Sequence, residues 1–91
     1  MTPEKINKAI EDHFGLWWTD ESRQAILEDV GVEGLAQIEE ISTFANDADL
    51  WQYTPSLQAY ETMKRRLRET YPFLSNTAIL QVATSAAYGW K

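Results

Sequence analysis

Cysteine is absent from this chain, which excludes disulfides, thiolate catalysis and zinc–thiolate sites. Its absence fits a cytosolic protein, so a cytoplasmic location is the expectation. Histidine is scarce too, with His13 alone. It falls on an apolar stripe beside Ile10 and Phe14, where a boundary packing role is the plain reading. A catalytic base needs a nucleophile or an orienting partner, and the sequence nominates neither. Position 10 is Ile, so His13 cannot complete the Glu-x-x-His pair of a di-iron bundle. The 4 glycines and 3 prolines form no phosphate loop and no nucleophile elbow. The run from Thr70 to Trp90 holds no charge, yet Pro72, Asn76 and Gln81 interrupt it. A membrane span of about 20 mainly apolar residues is therefore not expected. Met1 to Lys5 offers no basic region followed by an apolar run, so no signal peptide is expected. These absences lead to the expectation of no catalytic residue, no metal and no cofactor.

What is present reads as one helical domain over residues 1–91, with 44% hydrophobic and 12% aromatic residues. A chain this short buries only about 60–65% of its unfolded surface, so the core is modest. The pattern predicts an all-α fold, a small bundle of four to five short helices packed around the C-terminal helix. That last helix is expected over about 76–88, capped by Ser75, with Leu74 and Ile79 at staple positions. Ile79, Val82, Ala83, Ala86 and Trp90 share one side, and Ala78, Leu80 and Ala87 widen the apolar arc to about 200°.

Upstream, Thr2 caps a helix opening at Pro3, with Ile6, Ala9, Ile10, Phe14 and Trp17 on one stripe and Gly15 at its end. Thr19 caps a second helix to Val30, whose apolar side is Ile26, Leu27 and Val30, and Gly31 ends it. Arg23 is expected to lay its stem on the core and keep its head wet. A third helix from Glu33 to Ala45 turns Leu35, Ile38 and Ile41 inward. Leu50 to Tyr53 is an aromatic linker, and Thr54 is expected to cap a fourth helix opening at Pro55. Its seam is Leu57, Tyr60, Met63, Leu67 and Tyr71, at near-heptad spacing.

Three local motifs fail on inspection. A calcium loop from Asp47 would need Gly and Glu where Gln52 and Gln58 stand. A DNA-binding helix-turn-helix about Gly31 would place Gln37 and Glu40 at buried positions and face phosphate with Glu33, Glu39 and Glu40. A helix-hairpin-helix fails because Gly31-Val32-Glu33 lacks the second glycine.

The net charge of −6 is unevenly placed. Residues 1–54 carry Lys5, Lys8 and Arg23 against 12 acids, a balance of −9, and residues 55–91 carry 5 Lys/Arg against 2 acids, +3. Function is thus read as a non-enzymatic acidic protein-binding module: an adaptor, inhibitor or regulator that docks on a partner protein. An acidic surface permits a basic partner, and a homodimer is also permitted. Candidate docking residues are the linker aromatics Trp17, Trp18 and Trp51, with Glu33 and Glu40 as steering acids. The same tryptophans could instead cap the core. The alternative is a nucleic-acid-binding helical domain using Lys64, Arg65, Arg66 and Arg68. These four spread over about 200° of helix surface, and Glu61 and Glu69 lie at i,i+4 from Arg65, which disfavours that use.

Overall fold

The computed structural model of the protein describes residues 3–14 and 19–89. These form five helices: α1 (Pro3–His13), α2 (Asp20–Ala45), α3 (Ala48–Tyr53), α4 (Ser56–Thr70) and α5 (Asn76–Gly89). There is no strand among the described residues, and the fold is a small all-α bundle. No helix among them is long and apolar enough to cross a membrane.

The two helices expected over residues 20–45 stand on either side of Gly31, as the two arms of α2. Gly31 at φ 76°, ψ −178° breaks the helical path between them. That backbone region is essentially closed to any residue with a Cβ. A straight 26-residue helix would run about 39 Å, longer than the molecule's greatest dimension of 36 Å. Thr19 caps the first arm, accepting from the Ser22 amide. Arg23 keeps its head in solvent and bridges the arms, its Nε donating to Glu39 Oε1 at 2.8 Å.

Ile26 and Val30 from the first arm, and Ile38, Ile41 and Ala45 from the second, enter a core shared with Ile6, Ala9 and Ile10 of α1. α5 packs on α1, α2 and α4, which is the central position its apolar arc requires. Ala78, Ile79, Val82, Ala83 and Ala86 are buried there. Ser75 caps α5, its Oγ accepting from the Ala78 amide at 3.1 Å. Leu80 departs from expectation: it is 45% exposed, because the covered arc of α5 is narrower than its apolar one.

Asn7, midway along α1, ties the first helix to the turn before α5. Its Nδ2 donates to the Phe73 carbonyl, and its Oδ1 accepts from the Ser75 amide, both at 2.9 Å. One turn later Glu11 accepts from Ser75 Oγ through its carboxylate and from Gln81 Nε2 through its backbone carbonyl.

Two details of α4 correct the expectation. Thr54 is not its cap but the C-terminal flank of α3. Pro55 takes the capping position in an extended conformation, and its carbonyl accepts the first helical bond, from the Ala59 amide at 2.8 Å. The expected seam is also shifted. Ala59, Met63 and Leu67, four residues apart, are fully buried, and Leu57 is 76% exposed. Leu57 lies about 120° around the helix from Met63, too far to reach the core.

Candidate functional site

Trp51 has a structural assignment. It sits in α3 rather than in an irregular linker, and it is buried. Its Nε1 donates to the Ala45 carbonyl at 2.7 Å. Ala45 closes α2, and the last carbonyls of a helix lack intrahelical partners. Trp51 therefore caps both the core and the end of α2, and it is not an exposed anchor. Trp17 and Trp18 lie outside the described residues. Glu33 and Glu40 are both exposed on the second arm of α2, two turns apart on one face.

The basic residues of α4 each have an identified neighbour. Lys64 Nζ is 2.9 Å from Glu61 and 4.7 Å from the centre of the Tyr60 ring. Arg66 donates to Asp47 at 3.0 Å. Asp47 meanwhile caps α3 through its other oxygen, which is what the acidic loop 47–49 is used for. Arg65 approaches Glu69 only to 4.0 Å, and Arg68 bonds the neutral amide oxygen of Asn76. Exposed pairs of this kind contribute about 0–1 kcal/mol and are readily exchanged.

His13 is half-buried at the end of α1, its Nε2 2.7 Å from Asp29 Oδ2. The pair joins α1 to the first arm of α2. Among the described residues no group of three or more His, Cys, Asp or Glu is placed to hold a metal. Tyr71 packs edge-on against Phe44 and Phe73, with ring centres 5.4 and 6.2 Å away. Burial, and then the Glu40 carboxylate, push its phenol above the ordinary value.

The surface that sequence reasoning missed lies on α4 and α5. Tyr60 and Thr84 share a hydrogen bond of 3.0 Å between these antiparallel neighbours. Leu57 precedes Tyr60 by one turn, and Leu80 and Tyr88 stand one turn either side of Thr84. Tyr53, ending α3 just before this surface, is 80% exposed. Of the five large hydrophobic residues exposed among the described ones, Leu57, Leu80 and Tyr88 stand on α4 and α5, and Tyr53 ends α3. The fifth is Val32, at the bend of α2. The signal available in the sequence was the competing four-residue row Ala59–Met63–Leu67, which leaves Leu57 outside the core. No protein-family model, curated protein or solved structure matches this chain.

Proposed function

We propose that the protein is a non-enzymatic docking module that binds another protein through the outer face of α4 and α5. The observation that carries this reading is the concentration of exposed apolar side chains there, with Leu57 at 76% and Leu80 at 45%. Scattered surface hydrophobics are ordinary, but apolar residues gathered on one face and edged by polar ones are typical of interaction sites. Tyr53 and Tyr88 supply the amphipathic rings favoured at such sites. Glu33 and Glu40 lie on a different helix, where their carboxylates would steer a basic partner or a basic part of the same one. Nucleic-acid binding through Lys64 to Arg68 has less support, because it would leave the exposed Leu57 and Leu80 beside those cations unmatched.

A photoreactive residue placed at Leu57 or Leu80, in the full chain within its native cell extract, tests the reading. Both positions are expected to link the same protein, and Leu80→Glu is expected to abolish the Leu57 adduct. A probe at Val32 serves as the control. Adducts with nucleic acid alone, or adducts indifferent to position, would refute docking through this face.

A further inference from the structure

The α4–α5 face carries basic side chains among its apolar ones, and this mixture describes its occupant. Leu57, Glu61, Lys64 and Arg68 follow one another at i, i+4, i+7 and i+11, a single stripe along α4 about 16 Å long. An open groove of about 520 Å³ runs along α4 beside the stripe, lined by Gln58, Thr62, Lys64, Arg65 and Arg68 with Glu61 as its one acid. On α5, Leu80 comes level with Lys64 and Tyr88 with the start of α4, by the register of the Tyr60–Thr84 and Arg68–Asn76 bonds. We infer, on the reading that this face docks a protein, that its occupant is an amphipathic acidic helix: apolar residues for Leu57 and Leu80, carboxylates for Lys64, Arg65 and Arg68.

Three arguments select that occupant. Arg65 and Arg68 are available, since Arg68 is bonded to a neutral amide and Arg65 stands 4.0 Å from its carboxylate, while Lys64 would exchange Glu61 for the ligand. The protein's net charge of −6 opposes any acidic ligand. Screening over about 8 Å at physiological salt makes the adjacent cations outweigh acids elsewhere on a molecule 36 Å long. The footprint is small: two helices about 9 Å apart and each about 10 Å wide present a strip about 19 Å across, which over about 16 Å makes roughly 300 Å². That suits one helix and falls well short of the roughly 800 Å² per partner of a stable interface between globular copies. A symmetric pairing of this face with itself would also oppose like charges. Finally, a nucleic acid would answer the cations and leave Leu57 and Leu80 unmatched.

The test uses the full ¹⁵N-labelled chain and three probes. One is a four-turn amphipathic peptide with Leu along one face and Glu on its flanks. The second carries Lys in place of Glu. The third is a single-stranded oligonucleotide. The Glu peptide is expected to shift the amides of Leu57, Tyr60, Lys64 and Leu80 saturably, with the Lys peptide at least tenfold weaker. Leu57→Glu should weaken the Glu peptide at least tenfold, and Lys64→Glu with Arg68→Glu should reverse the preference. All three side chains reach solvent, and unchanged shifts elsewhere verify the fold. Equal or tighter binding of the Lys peptide at this face overturns the acidic occupant and leaves docking intact. Shifts from the oligonucleotide alone replace the inference with nucleic-acid binding. Concentration-dependent shifts without any probe assign the face to a second copy. If no probe shifts the face while the crosslinks at 57 and 80 still find a protein, the inference alone falls; if the crosslinks fail too, both fall.

Discussion

Replacing Gly31 by alanine isolates one physical effect. A Cβ at this position would meet nothing within 4 Å, so no clash contributes. What remains is the backbone. At φ 76°, ψ −178° an L-residue is held in a region costing about 1–3 kcal/mol. Two terms oppose this. Alanine restricts the unfolded chain, which stabilises by about 0.4–1 kcal/mol. It also favours helix by about 1 kcal/mol, but only if the chain straightens. Straightening would pull the first arm, with Ile26 and Val30, out of the core and break the Arg23–Glu39 bridge. Losing two buried aliphatic side chains costs about 3–6 kcal/mol, so the bend should persist. The expected net loss is about 0.5–2.5 kcal/mol, read as a lower urea midpoint with an unchanged slope. D-Alanine, introduced by chemical synthesis, supplies the contrast. Its mirror-image preferences make this φ/ψ an ordinary extended one, so it should match or exceed wild type. If L- and D-alanine variants unfold at the same midpoint, Gly31 is not where the backbone conformation matters, and the reasoning fails.

Ala83 is fully buried on α5, and Ala83→Leu is expected to overpack the bundle by about 1–3 kcal/mol in chemical denaturation. Trp51→Phe keeps an aromatic ring but strips the Ala45 carbonyl of its donor, so a loss of about 1–3 kcal/mol is expected in the same assay. Tyr71 has a raised folded-state pKa, so its contribution to stability is complete below the ordinary phenol value of about 10 and is lost as pH rises through the higher folded value. Melting temperatures measured upward from pH 9 should fall less steeply in Tyr71→Phe than in wild type. The exposed Lys8, also raised by its bond and attraction to Asp12, titrates in the same range and is common to both proteins.

Helices announced by strong local chemistry were legible in the sequence. Ser75, with Leu74 before it and Ile79 after it, places the start of α5, and Gly31 marks the bend of α2. Those signals act within one turn of chain. Thr54 failed because two residues compete for one capping position, and only the path of α3 into Pro55 decides between them. Leu57 failed for a different reason. Hydrophobic spacing admits both a heptad seam and a four-residue row, and the choice depends on how the neighbouring helices pack around α4. The docking face was invisible for the same cause: an exposed leucine is recognised only once the core has been filled without it. Trp51 could be read either as an anchor or as a cap, since the orphan carbonyl of Ala45 that claims its indole exists only in three dimensions.

The amide of Asn7 grips residues that follow it by 66 and 68 positions. During synthesis at about 5–20 residues per second, those partners follow Asn7 by about 3–14 s. Until then α1 can lie against α2 but has neither the Phe73 carbonyl nor the Ser75 amide to hold it, and Ile6, Ala9 and Ile10 lack the α5 side of their core. Of the five helices α1 is made first, and it is among the last to be secured. A nascent chain stalled before residue 75 should keep α1 open to proteases, and one released past residue 89 should close it.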